Sequence, residues 1–441
     1  MPIQSVAAIK SALDTAIATT VSKAPQYSED IRHFQRKRKL PLETVIRLLL
    51  GMTGGALTKE LHAAGVDASP SAFVQQRHKI SSAAFRDILQ DFNSKCHDDK
   101  LYRGQFRLLA LDGSTISLPY DPSAESFLKV DTHPKGGYNA WHLTPLYDLV
   151  NKTYYDCVIQ PKSKADEQAA LIQMIYKNRF PEKTILIADR GLESYNIFAH
   201  LLTRAQANPG LFFLIRIRNG RSCLKPVSQL PLTQEFSKWI SFTLSTKQTK
   251  AAREAGHLLM QMTNNSGHKH RARWDFSHID PFHMRLRIVN LQLDTGEYEL
   301  LACNLPDYMG IDEIRNLYKA RWGLETAFRE LKYGLNLISP HSRLDDFTKS
   351  EVYCALTMAN FCSRIASKVV IQQKRENVYA YKVNMKMAIY LAKEYFRDPN
   401  GDAEKLVHDI GRYTEPIRPG RQDQRNLKTK SCTSFCYRVA A

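Results

Sequence analysis

Two aspartates occupy positions from which carboxylates can act together on a metal ion. Asp112 and Asp189 each follow an apolar, strand-like run. A buried carboxylate without a partner is costly, and a divalent cation such as Mg²⁺, which prefers oxygen ligands, is one way to satisfy it. A turn beside Gly113 and the capping of a helix near Ser194 are the ordinary alternatives. Taken singly, each aspartate is compatible with either role.

A third acidic residue, Glu325, lies in a segment that the apolar pattern predicts to be one helix, from residue 318 to 332. At about 100° per residue, four polar residues share one narrow face beside an apolar stripe: Tyr318, Arg321, Glu325 and Lys332. A salt-bridged surface helix, the usual explanation of mixed charges, does not explain why this row borders the stripe. We therefore predict that Glu325 completes a metal site with the two aspartates. Arg321 and Lys332 are placed to contact phosphates, and Tyr318 to bond a phosphate or stack on a base.

The elements that must position these residues alternate between residues 105 and 220. The pattern predicts the order β-β-β-α-β-α-β, which indicates an α/β (mixed α+β) fold with a mixed sheet flanked by helices. The RNase H-like fold has the same element order. The predicted strands are 106–118, 142–149, 154–159, 184–188 and 211–218, and the predicted helices are 166–178 and 195–205.

Three domains are expected along the chain. Residues 1–100 form a helical domain, and residues 101–345 form a catalytic domain interrupted by a β-rich insertion at about 220–305. Residues 346–441 form a helical region with a basic tail. Within the first domain, two short helices around a glycine-containing break resemble a helix-turn-helix whose Arg77 and Lys79 face DNA. A small helical bundle with solvated charges explains that stretch equally simply, and is the commoner arrangement.

Charge and cysteine usage limit the class of protein. There are 62 Lys and Arg against 44 Asp and Glu, a formal net charge of +18. Such an excess favours a polyanionic partner, most commonly nucleic acid, although a basic but ordinary enzyme is compatible with it. The eight cysteines are scattered and lack zinc-site spacing, which is typical of reduced thiols. With no signal peptide and no apolar run of membrane length, we expect a cytoplasmic protein without a membrane partner.

The helical row has the spacing of a known signature. The chain resembles bacterial insertion-sequence transposases of the DDE class, in the group marked by the YREK signature: Tyr, two residues, Arg, three residues, Glu, six residues, Lys. Tyr318, Arg321, Glu325 and Lys332 match it at every spacing. The contexts of the aspartates, Asp112-Gly113-Ser114 and Asp189-Arg190, match as well. The long β-rich stretch before Glu325 is also a feature of this group.

This resemblance implies an RNase H-like transposase. Asp112, Asp189 and Glu325 would hold Mg²⁺ or Mn²⁺, as two ions, and the enzyme would nick the ends of an insertion element and join them to target DNA. Double-stranded DNA would be the partner, and a homodimer would assemble in the synaptic complex. Arg77 and Lys79 would contribute to recognition of the element ends.

Three other readings are compatible with parts of this pattern. A catalytically silent relative would bind element ends as a repressor without nicking them. An RNase H-like nuclease would cleave without end preference and without joining. An unrelated basic cytosolic enzyme would have no DNA chemistry at all.

Overall fold

A computed structural model describes most of the chain. The described residues are 4–35, 39–96, 99–219, 224–247, 249–260, 273–293 and 295–418. The predicted basic tail lies outside them beyond residue 418, as does part of the β-rich stretch at 261–272.

One large mixed sheet organises the described part of the chain. Its strands are β1 (Phe106–Leu111), β2 (Ser114–Leu118), β3 (Phe127–Lys129), β4 (Gly137–Asp148), β5 (Thr153–Pro161), β6 (Lys183–Ala188), β7 (Leu211–Ile217), β8 (Phe236–Ser245), β9 (Leu258–Leu259), β10 (Phe282–Gln292) and β11 (Tyr298–Cys303). The strand order is β2-β4-β1-β6-β7-β11-β10-β8-β9, and β3 and β5 each pair with β4. Strands β1, β6 and β7 are mutually parallel, and β4 lies antiparallel beside β1.

Helices flank this sheet on both faces and also pack on one another. They are α1 (Val6–Ser22), α2 (Leu42–Gly51), α3 (Leu57–Ala63), α4 (Pro70–Arg77), α5 (Ala83–Ser94), α6 (Glu167–Lys177), α7 (Tyr195–Ala207), α8 (Lys250–Glu254), α9 (Ile311–Ala320), α10 (Gly323–Arg329), α11 (Asp345–Ala366), α12 (Met385–Arg397) and α13 (Ala403–Arg412). A two-stranded sheet joins β12 (Tyr381–Val383) to β13 (Thr414–Pro416). The predicted α/β fold, a mixed sheet flanked by helices, is confirmed.

The central strand β1 shows why these residues form a covered sheet. All six of its residues are buried. Leu109 and Leu111 pack into the cluster that contains α6 and α7, whereas Phe106 and Leu108 pack into the cluster that contains α9. A strand buried on both faces requires a continuous apolar run rather than alternation, which is the pattern of 108–111.

One expectation about the strands needs adjustment. The single strand expected at 106–118 is two strands, because the chain turns at Asp112 and Gly113 between β1 and β2. The β-rich stretch expected at about 220–305 contains β8 to β11, and β11 pairs antiparallel with β7. These strands therefore extend the central sheet.

The helices at the two ends of the chain share one core. Leu13 of α1 and Phe92 of α5 belong to the same buried cluster as Phe361 of α11 and Phe396 of α12. The short helix pair expected around 65–67 is present as α3 and α4, and Gly65 supplies the left-handed turn between them with φ +66°. Among the described helices, none has the length and apolar character that crossing a membrane requires.

Candidate active site

Asp112 and Asp189 leave the sheet side by side. Because β1 and β6 are parallel and Leu111 lies opposite Ala188, the residues that follow them emerge at the same edge. In sheets with helical crossovers, functional groups gather at this carboxyl edge. The N–H groups of Gly113 and Arg190 donate to Oδ1 of the preceding aspartate, at 2.8 and 2.7 Å respectively. Each carboxylate keeps about a third of its side chain exposed, 32% and 37%.

The segment at 318–332 is not one continuous helix. Helix α9 ends at Ala320, and the N–H groups of Arg321, Trp322 and Leu324 donate to carbonyls three residues back, at 3.1, 3.3 and 3.0 Å. After α10 the chain widens into a π-helical turn, Glu330–Gly334. The expectation of a single helix is therefore wrong, because a tightened turn and a widened turn interrupt the regular period. Irregular turns of both kinds recur at functional sites.

Two predicted residues at the end of α9 contact the aspartates. The Tyr318 hydroxyl donates to Asp189 Oδ1 at 3.3 Å, and Arg321 Nη1 lies 3.6 Å from Asp112 Oδ2. Arg321 is only 4% exposed, and its guanidinium lies 5.5 and 5.4 Å from the ring centroids of Tyr318 and Trp322. Its Nε atom is buried without a hydrogen-bond partner. Arg321 is thus fixed against a carboxylate and two rings, with donor capacity left over.

Glu325 and Lys332 lie farther along the same segment. Glu325 follows Arg321 by four residues and is half-buried in α10. Lys332 is half-buried in the π-helical turn. Among the residues with described positions, no three or more His, Cys, Asp or Glu side chains are grouped closely enough to hold one metal ion. The structure therefore brings Tyr318 and Arg321 to the two aspartates and leaves Glu325 outside such a group.

The electrostatic balance at Asp112 favours a cation. Burial raises the pKa of the Asp112 carboxyl, while the Gly113 N–H and the Arg321 guanidinium oppose the rise. The negative charges of Glu167 and Asp189 add to it, and the pKa stays above its ordinary value. A divalent cation bound there would offset the cost of burying the Asp112 carboxylate close to other carboxylates.

The comparison with protein families identifies the class of this chain. The family model described as "Transposase DDE domain" matches residues 103–361, more than half of the 441 residues. The chain belongs to the transposase DDE domain family. It is a DNA transposase, an enzyme that breaks and joins DNA strands by phosphoryl transfer, and enzymes of this family generally depend on divalent metal ions. The matched range contains Asp112, Asp189 and Glu325.

Curated proteins and solved structures give no further information about the site. No curated protein matches the transposase. Among solved structures, it is similar to a piggyBac transposase in a synaptic complex with hairpin DNA, at 10% sequence identity. That similarity covers 95% of this chain and 86% of the other, with a TM-score of 0.40. A likeness this distant does not bear on the site.

Sequence reasoning missed two residues beside Asp112 in the transposase. His142 Nε2 lies 2.9 Å from Glu167 Oε1, and a Cβ on Gly113 would fall 1.9 Å from that same oxygen. A histidine in a strand pattern and a glutamate that opens a helix carried no spacing that linked them. Only the pairing of β4 with β2 and the start of α6 bring them together.

An arginine on β7 was also missed. Arg216 Nη1 lies 3.1 Å from Glu299 Oε1 and 4.0 Å from Asp189 Oδ1. Its signal was a charged residue inside the apolar run of β7, the same kind of signal that drew attention to Asp112. Arg216 gives Asp189 a cationic neighbour, as Arg321 does for Asp112.

Arg77 does not lie on a DNA-facing surface. It is 4% exposed, and its Nη2 donates to the Phe347 carbonyl at 2.7 Å and to Glu351 Oε1 at 2.9 Å. Its guanidinium also lies 4.4 Å from the Phe347 ring centroid. Arg77 therefore joins α4 to α11 as a buried ion pair, which corrects the expectation of a DNA contact. Lys79 remains partly exposed and donates to Gln76 Oε1 at 3.1 Å.

Proposed function

We propose that this transposase nicks the ends of an insertion element and transfers the freed ends into target DNA. Asp112, Asp189 and Glu325 serve as its metal-binding carboxylates. The observation that carries the proposal is the emergence of Asp112 and Asp189 side by side from β1 and β6, where Tyr318 and Arg321 dock on them. The spacing of Tyr318, Arg321, Glu325 and Lys332 further favours the YREK group of bacterial transposases.

The residues present fit a divalent metal. The donors are carboxylate oxygens, which Mg²⁺ and Mn²⁺ prefer. The negative charges of Glu167 and Asp189 also act on Asp112. Glu325, on the helix that follows Arg321, is proposed as the third ligand. When bound, two ions supply charge stabilisation for the attacking and leaving oxygens of an in-line displacement.

The side chains around the aspartates act on the DNA backbone. The guanidinium of Arg321 lies near the rings of Tyr318 and Trp322, and its Nε has no hydrogen-bond partner. Arg321 is assigned the role of donating to a phosphate of the bound DNA. Tyr318 holds the Asp189 carboxylate by its hydroxyl, and Lys332 contributes a positive charge farther along the strand of DNA. Lys79 contributes to contact with the element ends from the helical region before β1.

The partners follow from this activity. Double-stranded element ends and target DNA are the substrates, and a homodimer holds two ends in the synaptic complex. The net charge of +18 supports a polyanionic partner. We also propose that the enzyme acts in the cytoplasm, on chromosomal DNA, and that residues 1–100, 101–345 and 346–441 are its functional divisions.

Element-end DNA tests the proposal directly. The inverted repeats that flank the gene supply the substrate, and nicking and strand transfer are measured with Mg²⁺ and Mn²⁺. Asp112→Asn, Asp189→Asn and Glu325→Gln should each reduce nicking more than about 100-fold while end binding persists. Asp131→Asn, an aspartate whose side chain is 90% exposed, is the matched control.

The outcomes separate the alternatives. Full nicking by any of the three variants would exclude that residue from the metal site. End binding without nicking by the wild-type protein would identify a silent repressor. Cleavage without end preference and without joining would identify a nuclease.

A further inference from the structure

Glu167 and His142 lie against the turn that carries Asp112. Glu167 opens α6 directly after the N-cap residue Asp166, whose side chain accepts from the Ala169 N–H. A glutamate in the first turn of a helix commonly faces solvent, and its negative charge there interacts favourably with the positive end of the helix dipole. Glu167 instead reaches back to the sheet, where its Oε1 meets the Nε2 atom of the buried His142.

The carboxylate of Glu167 lies between the turns that follow the two aspartates. A Cβ on Gly113 would lie 1.9 Å from Glu167 Oε1, and a Cβ on Gly191 would lie 3.7 Å from Glu167 Oε2. Only a residue without a side chain at position 113 allows this close approach. The glutamate therefore spans from the Asp112 turn toward the Asp189 turn.

His142 is held in one orientation. Its ring is 5% exposed, and its Nδ1 lies 3.5 Å from the Thr115 hydroxyl oxygen on the neighbouring strand. Because the Glu167 carboxylate is an acceptor, the ring nitrogen facing it, Nε2, carries the proton. The histidine thus aims a donor at Glu167 and fixes where that carboxylate lies over Gly113.

We propose that Glu167 and His142 are positioning residues of the metal site, a pair that fixes the Asp112 turn and adds a carboxylate charge beside the two aspartates. This inference rests on the proposed function of Asp112 and Asp189 as metal ligands. Removing a residue that supports the surroundings of metal ligands typically changes metal affinity or activity 10- to 100-fold. Glu167 and His142 act on the ion through Asp112 and are not assigned contact with DNA.

Metal binding without DNA is the decisive readout. Mn²⁺ alone is titrated into the full-length protein and followed by electron paramagnetic resonance, and the half-saturating Mn²⁺ concentration for nicking is measured in parallel. Glu167→Gln should raise both values at least about tenfold. His142→Ala should do the same, whereas His142→Gln, whose amide can still donate to Glu167, should restore most of the affinity.

The control is Glu404→Gln. Glu404 also lies in the first turn of a helix after an aspartate N-cap, Asp402, but at the exposed start of α13. Glu404→Gln removes the same charge from the same kind of helix position as Glu167→Gln. The melting temperature and Mn²⁺ affinity of Glu404→Gln therefore give the baseline for Glu167→Gln. If Glu167→Gln folds poorly, the comparison of His142→Ala with His142→Gln decides the question.

Each result has a defined meaning. Weaker Mn²⁺ binding by Glu167→Gln at an unchanged melting temperature supports the positioning pair. Unchanged binding, together with lost binding in Asp112→Asn, overturns this inference and leaves the proposed function intact. Unchanged binding in Asp112→Asn overturns both.

Discussion

The guanidinium of Arg321 lies 3.6 Å from the carboxylate of Asp112, although the two residues come from distant parts of the chain. Both are withdrawn from solvent, with 5% of the arginine side chain and 32% of the aspartate side chain exposed. Burial raises the pKa of Asp112, and Arg321 is the cation that opposes the rise. The arginine therefore favours the charged form of Asp112, which is the form that binds a metal ion.

Arg321→Ala should shift the pH dependence of nicking. Without the guanidinium, burial and the neighbouring carboxylates raise the pKa of Asp112 further, so the proton that competes with metal is lost only at higher pH. The acidic limb of the pH–rate profile should move to higher pH, and nicking near pH 7 should fall about 10- to 100-fold. Arg321→Lys keeps the charge but not the planar fork, so it should retain the wild-type limb more closely. An unmoved limb in Arg321→Ala would show that the pair does not set the protonation of Asp112.

Gly113→Ala should disable the site without unfolding the protein. The added methyl would fall 1.9 Å from Glu167 Oε1 and 2.5 Å from His142 Nε2, so both side chains must move. Nicking should fall about 10- to 100-fold, with a melting temperature close to that of the wild type. Gly191→Ala is the matched control, because its methyl would meet Glu167 only at 3.7 Å, an ordinary contact. Equal nicking by the two variants would mean that the Glu167 position is unimportant.

Some residues of this site could be predicted from the local sequence pattern, whereas others are brought together only by the packing of distant segments. The apolar runs before Asp112 and Asp189 predicted two strands, because burial on both faces leaves a readable signal in a single segment. Only the strand before Asp189 was predicted to end at its carboxylate, since the predicted strand 106–118 continued through Asp112. The pairing of Glu167 with His142 left no such signal, since it depends on how α6 returns to the sheet. The prediction that Arg77 contacts DNA was wrong for a related reason. A cation on a short helix is usually solvated, and only the position of Glu351 on α11 reveals that Arg77 is buried.

Replacing Arg77 should destabilise the fold rather than weaken DNA contacts directly. Burial alone would raise the pKa of Glu351, but Arg77 and the hydrogen bonds from His341 lower it to about 2. Arg77→Met leaves this carboxylate buried without its cation, which should reduce the free energy of unfolding by about 3–5 kcal/mol. Urea unfolding measures the loss. Lys79→Met, at a partly exposed lysine just beyond the end of α4, should change the free energy of unfolding by less than about 0.5 kcal/mol.

The pH dependence of stability checks the same ion pair. The depressed pKa of Glu351 contributes stability that is present above its ordinary pKa of 4.5 and is lost as pH falls through about 2. Arg77→Met should lack most of this acid-sensitive contribution. Equal unfolding free energies for Arg77→Met and Lys79→Met would contradict the structural role.

Lys393 should give the enzyme a rise in stability under alkaline conditions. It is buried on α12, its ammonium donates to the Met52 carbonyl at 2.6 Å, and burial lowers its pKa to about 8. The unfolded chain keeps this proton up to a pKa near 10.5, so between these values the unfolded state binds more protons than the folded state. The free energy of unfolding should therefore increase with pH across that window, by about 3 kcal/mol in the limit. Below the folded pKa both states are protonated and this contribution is absent.

Comparison with Lys393→Met isolates that rise from all other titrations. The wild-type protein and the variant are unfolded in urea at several pH values from about 7 to about 10, and the difference between their unfolding free energies is followed. This difference should move in favour of the wild type as pH increases, because methionine carries no proton that the folded state releases. Lys250→Met, at a lysine whose side chain is 91% exposed, should leave the wild-type slope unchanged. Parallel curves for the wild type and Lys393→Met would mean that the ammonium is as well solvated inside the helical core as in the unfolded chain.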